Sequence, residues 1–256
     1  VLLVYGGGSI KKMGLYDTIM ELLKDFEVFE VSGIEPNPRI DSVREGAKIC
    51  KDEGIDVCLA VGGGSTIDAT KFMAAGTFVE HDPWLFFSEK NTTTIEKALP
   101  IVTVLTLAAT GSEMDNGGVS SNPITNDKLD RGANCLKPKV SFLDPTYTYT
   151  VSKYQTACGS ADIMSHIFEV YFNMTPDFDM LDGFMESMLR SVMKYAPIAM
   201  NDPTNYEARA NLMWASSWAI NGFVVGGKKQ QWSCHKLEHE LSAYYDITQG
   251  LGLAIL

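Results

Sequence analysis

The chain has little of what several functional classes require. It carries 21 Lys and Arg against 32 Asp and Glu in 256 residues, a formal net charge of -11. Nucleic-acid binding needs clustered cations to neutralise phosphates, and no such cluster occurs here, so we expect no nucleic-acid partner. No apolar run approaches the ~20 residues that span a bilayer, and the start has no signal-peptide pattern. We therefore expect a cytoplasmic protein with no membrane partner.

Cysteine and histidine are scarce as well. The five cysteines are scattered and none lies in a CxxC pair, so the sequence shows no sign of a disulfide framework or a thiolate zinc site. Of the four histidines, three lie in two short segments of the second half. That concentration makes these two segments the first candidates for a site.

Short β-rich runs alternate with helical patterns through the first hundred residues. Apolar runs predict strands at residues 1–5, 28–31, 57–61 and 101–105, and the 3.6-residue period predicts helices at 15–26, 39–53 and 65–75. The stripe of the first helix comprises Ile19, Leu22, Leu23 and Phe26. Such alternation predicts an α/β fold with a parallel sheet and helices on its faces.

The composition changes in the second half. Residues 107–150 are rich in Gly, Ser, Asn, Thr and Pro, which predicts loops and a hairpin. Met and aromatic residues at helical spacing follow over 161–200 and 206–219. We therefore predict an α/β nucleotide-binding domain over residues 1–150 and an all-α domain over residues 151–256.

Two glycine-rich turns follow predicted strands. They comprise Gly6, Gly7, Gly8 and Ser9, and Gly62, Gly63, Gly64 and Ser65. Glycines let a backbone approach a phosphate closely, and a helix N-terminus attracts the anion. Neither turn matches GxGxxG, and a tight turn without a ligand is the alternative for each. Two such turns in one sheet favour a nucleotide. A third polar turn offers hydroxyl groups from Thr106, Thr110 and Ser112.

Polar pairs at helical spacing mark a candidate metal site. Asp162 and His166 are four residues apart, as are His235 and His239. Residues at i and i+4 share one helix face and can offer both side chains to one ion. A lone histidine on an apolar helix is more often a hydrogen-bonded core residue, but two such pairs in a histidine-poor chain favour a ligand set. Carboxylate with imidazole suits Zn²⁺ or Fe²⁺ better than Ca²⁺ or Mg²⁺.

Six segments resemble the iron-containing alcohol dehydrogenase family, in particular its NADPH-dependent butanol dehydrogenase branch. They are GGGSTIDATK (62–71), DPW (82–84), TLAATGSE (106–113), LDPTYTYT (143–150), GSADIMSHIFE (159–169) and CHKLEHELSAYYDIT (234–248). The resemblance covers essentially the whole chain. It implies that the helical domain binds the metal, and that the chain is a fragment lacking both ends. We also expect a homodimer.

The resemblance assigns roles residue by residue. It makes Asp162, His166 and His235 metal ligands, and His239 a candidate proton-relay group beside the nicotinamide. Residues 62–65 would hold the pyrophosphate. The remaining cofactor residues would be Asp68, which supports that turn, with Thr106, Thr110, Ser112, Lys128 and Tyr147. Where the family has a fourth metal ligand, a histidine, this chain has Gln249, and an amide oxygen is a poorer ligand than imidazole.

The first glycine turn bears on the choice of cofactor. In NAD-preferring relatives an acidic residue follows the first strand, whereas here residues 6–9 are followed by Lys11 and Lys12. A carboxylate would repel the 2′-phosphate of NADPH and a lysine would attract it, so the sequence favours NADPH.

The activity that the resemblance implies is hydride transfer between NADP(H) and an alcohol or aldehyde such as butanol or butyraldehyde. Two alternatives stay open: a polyol oxidoreductase resembling glycerol dehydrogenase, and a nucleotide-binding remnant without catalysis. Gln249 favours the remnant, as do the missing ends. Asp115 is a separate departure from the family pattern: it replaces an amide or small residue expected near the cofactor, and its charge would weaken nucleotide binding.

Overall fold

The computed structural model describes residues 1–89, 92–174, 178–228 and 231–256. Within them the chain divides into two compact units. Unit 1 comprises Val1–Leu105 and Asn116–Phe142, and unit 2 comprises Thr106–Asp115 and Leu143–Leu256. Residues 106–115 therefore belong to unit 2, although in the sequence they stand between the two segments of unit 1. Among the described residues, no helix has both the length and the apolar character needed to cross a membrane.

Unit 1 is built on a sheet of five strands, β1 (Leu2–Tyr5), β2 (Phe29–Val31), β3 (Cys58–Gly62), β4 (Ile101–Leu105) and β7 (Val140–Phe142). Their order in the sheet is β2-β1-β3-β4-β7, and every neighbouring pair is parallel. All four residues of β1 are buried, as expected of an interior strand covered on both faces. The predicted α/β class with a parallel sheet is confirmed.

The helices of unit 1 are α1 (Ser9–Lys12), α2 (Leu15–Leu22), α3 (Ile40–Asp52), α4 (Gly64–Gly76) and α5 (Leu85–Ser88). α4 is buried on almost its entire circumference, because strands cover one side and α3 the other. Small residues permit this close packing: a Cβ added to Gly46 of α3 would overlap the side chain of Met73 in α4. Phe72 of α4 is fully buried and packs on Phe87.

Two predictions for the first half need correction. The helix predicted over residues 15–26 ends at Leu22, and the end of its supposed apolar stripe is solvent-exposed, with Leu22 at 73% and Phe26 at 63%. Of the four residues of that stripe, only Ile19 is buried. Residues 107–150 contain the predicted hairpin, β5 (Gly117–Asn122) with β6 (Asp127–Gly132), but also β7, which was missed. β7 is three residues long and half-exposed, so it has no alternating pattern to detect.

Unit 2 is helical, as predicted. Its helices are α6 (Lys153–Tyr171), α7 (Asp179–Asn201), α8 (Tyr206–Ile220), α9 (Ser233–Tyr245) and α10 (Gln249–Ile255). The Ser152 side chain caps the start of α6 by accepting from the Gln155 amide. Ile163 and Ile167 of α6 are fully buried in a core shared with α7 and α8. The periodic stretch 161–200 is divided between α6 and α7, because the chain leaves the helix after Tyr171.

Candidate active site

The polar residues of α6 and α9 meet in one buried cluster. Asp162 Oδ1 lies 3.7 Å from His166 Nε2 and 3.6 Å from His235 Nε2. The two imidazole rings are stacked, with centroids 4.8 Å apart and planes 12° from parallel. Each of the three residues is at most 5% exposed. The i,i+4 spacing on α6 fixes the first pair, and the packing of α9 brings the third group to it.

This cluster fits a transition-metal ion. One ligand atom from each residue lies within 4.8 Å of the other two. Ligands that share an ion at ~2.1 Å lie about 3.4 Å apart in a tetrahedral arrangement, close to the two distances above. His235 Nε2 is buried and has no hydrogen-bond partner among the described residues. A buried ring nitrogen that faces a carboxylate oxygen without a hydrogen bond to it is the arrangement that a metal completes.

The electrostatics favour the protonation states that a metal needs. Burial alone would raise the pKa of Asp162, but His166 and His235 beside it outweigh burial and hold the pKa at about 2. Burial lowers the pKa of His166 to about 4, so its ring is neutral at neutral pH. Burial also acts to lower the pKa of His235, but the Asp162 and Glu169 carboxylates beside the ring raise it on balance. The centre therefore offers one carboxylate and at least one neutral imidazole.

Gln249, the residue that replaces a fourth histidine, lies at this cluster. Its Nε2 donates to Asp162 Oδ1 at 3.0 Å from the first residue of α10. The next residue explains the close approach, because a Cβ on Gly250 would overlap the backbone of Cys158 in α6. The side chain at position 249 is thus within hydrogen-bonding distance of one candidate ligand, as the resemblance implies. In this structure it contacts the carboxylate through its amide N–H rather than through an oxygen.

His239 lies one turn beyond His235 on α9 and is 9% exposed. Among the described residues it is not part of the group whose ligand atoms lie within 4.8 Å of one another. The structure therefore separates the two histidines of α9: one faces Asp162, and the other remains a candidate for a different role.

Two neighbours of the cluster were missed in the sequence. Glu169 follows His166 by three residues, which places it on the same face of α6, and its carboxylate lies 3.2 Å from His235 Nδ1. Trp232 packs edge-on against both imidazoles, with ring centroids 5.7 Å from His166 and 4.8 Å from His235. The spacing of residues 162, 166 and 169 along one helix stripe could have identified Glu169. No local pattern marks Trp232.

Both glycine turns lie where a strand leads into a helix. Residues 6–9 join β1 to α1, with Gly8 in the left-handed region at a φ of 101°. Residues 62–65 join β3 to α4, which begins at Gly64. A Cβ on Gly62 would lie 2.5 Å from Thr66 Oγ1, so this turn needs glycine. Asp68 of α4 is buried and accepts a hydrogen bond from the Val119 amide of the hairpin at 2.9 Å.

The other candidate cofactor residues fall in both units. Lys128 lies on β6 of unit 1 and is 3% exposed. Unit 2 holds the polar turn, in which Thr110 Oγ1 accepts from the Ser112 amide at 3.2 Å and Thr106 is buried. Tyr147 lies in a short 3-10 helix, Pro145–Thr148. Asp115 ends the same polar turn. Their roles in cofactor binding remain predictions.

Comparison with known proteins identifies the family of this chain. A model of iron-containing alcohol dehydrogenases matches residues 1–145, and a model of the C-terminal part of the Fe-containing alcohol dehydrogenase family matches residues 156–256. The chain belongs to the iron-containing alcohol dehydrogenase family. The resemblance read from the motifs is confirmed.

Within this family the chain is similar to butanol dehydrogenases and to an aldehyde reductase. The chain is 55% identical to NADH-dependent butanol dehydrogenase A of Clostridium acetobutylicum and 40% identical to the NADPH-dependent aldehyde reductase YqhD of Escherichia coli, covering 100% of this chain and 66% of each relative. The crystal structure of NADH-dependent butanol dehydrogenase A from Thermotoga maritima superposes with a TM-score of 0.96 at 44% identity, over 99% of this chain and 64% of that one. The chain thus spans just under two thirds of the length of the relatives that it matches.

Proposed function

We propose that this chain is the part of a metal-dependent oxidoreductase that holds its metal centre and its dinucleotide turns. The reaction is hydride transfer between a nicotinamide cofactor and an alcohol or aldehyde, with butanol and butyraldehyde as the model pair. The observation that carries the proposal is the buried cluster of Asp162, His166 and His235, whose donor set and spacing suit Fe²⁺. Zn²⁺ suits the same donors and is the second candidate.

When bound, the metal would supply Lewis acidity towards the substrate oxygen. The residues of this chain supply the rest. Asp162, His166 and His235 fix the position of that ion on two rigid helices. Trp232 packs edge-on against the two imidazoles and limits their movement. We propose His239 as the group that relays a proton, because it is a titratable residue one turn from a ligand on the same helix.

For the cofactor, we propose that the turns at residues 6–9 and 62–65 bind a dinucleotide through backbone amides. The residues favour NADPH, whereas the relatives at 47% identity and above are named for NADH and the relative at 40% for NADPH. Lys11 Nζ lies 5.0 Å from the Tyr5 ring centroid and 4.5 Å from that of Tyr16, and the hydroxyls of both tyrosines donate to Glu30. The Glu30 carboxylate therefore lies in the same cluster as Lys11, and its negative charge offsets part of the attraction of Lys11 for a 2′-phosphate. We propose that NADPH binds more tightly than NADH by only a small factor.

Two alternatives lose support. The relatives reported above are named for butanol and aldehyde rather than for polyols, which disfavours an enzyme resembling glycerol dehydrogenase. A nucleotide-binding remnant is favoured by Gln249, but the other three groups retain a ligand arrangement that leaves coordination positions open.

The test uses the full-length protein. Oxidation of NADPH and of NADH is followed by absorbance with butyraldehyde, after stripping the protein of metal and adding back Fe²⁺ or Zn²⁺. We expect turnover that depends on added metal, that is faster with butyraldehyde than with dihydroxyacetone, and that His166→Ala abolishes. Dinucleotide binding without metal-dependent turnover would instead establish the remnant.

Two properties of the whole protein belong to the same proposal. All five cysteines are free thiols, which suits a reducing compartment, and we propose a cytoplasmic location. We also propose a homodimer. Cell fractionation and light scattering on the full-length protein test the two statements separately.

A further inference from the structure

Glu169 connects the two helices that carry the metal cluster. It lies near the end of α6, and its side chain is only 6% exposed. Its Oε2 accepts a hydrogen bond from the Ser233 amide at 2.8 Å, and its Oε1 accepts one from the His235 amide at 2.9 Å. These are backbone N–H groups in the first turn of α9, which have no partner within their own helix. The carboxylate therefore caps α9 from a different helix.

The same carboxylate also contacts the His235 ring. Oε1 lies 3.2 Å from Nδ1, on the side of the ring away from Asp162. An ionised carboxylate only accepts hydrogen bonds, so the ring nitrogen that faces it carries the hydrogen. A neutral imidazole carries one hydrogen, which leaves Nε2 with its lone pair. Nε2 is the nitrogen that lies 3.6 Å from Asp162 Oδ1.

The second histidine of the cluster is held differently. Among the described residues, His166 Nδ1 is buried without a hydrogen-bond partner. Its position comes from α6 itself and from its stacking on His235. Of the two imidazoles, only that of His235 has a carboxylate at its Nδ1 among the described residues. That carboxylate, Glu169, belongs to α6, whereas His235 belongs to α9.

We propose that Glu169 is a positioning residue for the metal centre: it sets the register of α9 and keeps His235 in the Nδ1–H tautomer, so that Nε2 is ready to bind the ion. This inference rests on the proposed metal site. A carboxylate that orients a metal-binding histidine raises metal affinity, and its loss typically lowers affinity 10- to 100-fold.

The test compares Glu169→Gln with two other variants in the full-length protein. Glu169→Gln keeps the side-chain size but replaces one acceptor oxygen with a donor. Glu186→Gln is the matched control, because Glu186 on α7 is a half-exposed carboxylate outside the cluster that accepts from Tyr171 and Arg190. His166→Ala tests the metal site itself. The measurements are the dissociation constant for Zn²⁺ by competition with a chelator, the visible spectrum with Co²⁺, and the ¹⁵N chemical shifts of the His235 ring in metal-free protein, recorded at a pH at which that ring is neutral.

We expect the wild type and Glu186→Gln to show the Nδ1–H tautomer and the same Zn²⁺ affinity. Glu169→Gln should lose that tautomer, bind Zn²⁺ about 10- to 100-fold more weakly and alter the Co²⁺ spectrum. An Nε2–H tautomer in the wild type contradicts the inference without reference to any variant. The inference is also wrong if Glu169→Gln lowers thermal stability but leaves the His235 tautomer and the Zn²⁺ affinity unchanged, because the role of Glu169 is then only structural. If His166→Ala leaves Zn²⁺ binding unchanged, the metal site is wrong rather than the role of Glu169.

Discussion

The two units arrange their candidate functional groups in different ways. In unit 1 they are mainly backbone amides at turns between a strand and a helix, at residues 6–9 and 62–65. In unit 2 they are side chains from separate helices, which pack together so that Asp162, His166 and His235 share one buried cluster. A turn depends on a few consecutive residues, whereas the cluster depends on the packing of α6, α9 and α10.

The two units also differ in how their buried titratable groups are arranged. Unit 1 has an apolar core in which Phe72, Phe86 and Phe87 are almost fully buried, and its buried charged residues, such as Asp68 and Lys128, form no group of potential metal ligands among the described residues. Unit 2 buries an ionised carboxylate together with two imidazoles, an arrangement that is unfavourable unless the groups pair with one another or bind a metal. We therefore expect substitutions in unit 1 to act chiefly on folding, and substitutions at the cluster to act chiefly on metal binding.

Phe72→Ala should produce the largest effect. The side chain is fully buried, and its ring centroid lies 4.4 Å from that of Phe87. Removing a buried phenyl ring leaves a cavity, and we expect a loss of about 3–5 kcal/mol in the free energy of unfolding. Phe26→Ala is the control, because Phe26 is 63% exposed and its loss should change stability by less than about 1 kcal/mol. Denaturant unfolding measures both, and equal losses would contradict the assignment of the core.

His166→Ala should have the next largest effect, on metal content rather than on folding. It removes one of three protein ligands, and we expect at least a ~100-fold loss in metal affinity, about 2.7 kcal/mol. His81→Ala is a matched control, since His81 lies outside the cluster and bonds the backbone of Asp82. Metal analysis after dialysis gives the result. Retention of metal by His166→Ala, or its loss from His81→Ala, would place the metal elsewhere.

Gln249→His should strengthen the same centre. The side chain at this position already lies 3.0 Å from Asp162 Oδ1, and imidazole nitrogen is a stronger donor to Fe²⁺ or Zn²⁺ than an amide oxygen. In the full-length protein we expect metal affinity to rise at least tenfold, about 1.4 kcal/mol, with a parallel rise in the rate of aldehyde reduction. The dissociation constant and the rate are both measured. Should neither change while His166→Ala removes the metal, position 249 lies outside the coordination sphere.

Gly7→Asp should have the smallest effect and is confined to the turn of unit 1. A Cβ at Gly7 meets no atom within 4 Å, so the substitution fits without strain. A carboxylate beside the proposed 2′-phosphate repels NADPH, and we expect the ratio of NADPH to NADH affinity to fall by several-fold, on the order of 1 kcal/mol. Fluorescence titration with both dinucleotides measures the ratio. An unchanged ratio would show that this turn does not contact the 2′ position.

Much of the architecture was readable from local pattern. Apolar runs identified the strands that lead into the glycine turns, because a parallel strand is buried on both faces. The 3.6-residue period identified most helices, because burial on one face imposes that spacing on their residues. The α2 prediction failed at Leu22 and Phe26, where apolar residues continue the period beyond the end of the helix. β7 was missed because three residues are too few to show a period.

The sequence by itself determined which residues of each helix share a face. Asp162, His166 and Glu169 follow the period of α6, and Ile163 and Ile167 follow the same period on the neighbouring apolar face. The identity of the family was also fixed by consecutive motifs. These properties are local, because they depend only on helical geometry and on the order of residues.

Only the tertiary structure decided which faces meet. The i,i+4 spacing on α9 left His235 and His239 equivalent, and only the motifs of the family distinguished them. The packing of the helices put His235 beside Asp162, brought Gln249 to the same carboxylate, and placed Glu169 behind the His235 ring. Each of these contacts joins residues from different helices, and their approach depends on how side chains interlock at the interface, including the absence of a Cβ at Gly250. A periodic pattern indicates that one face of a helix is buried. Which helix packs against that face depends on the packing of side chains from distant parts of the chain.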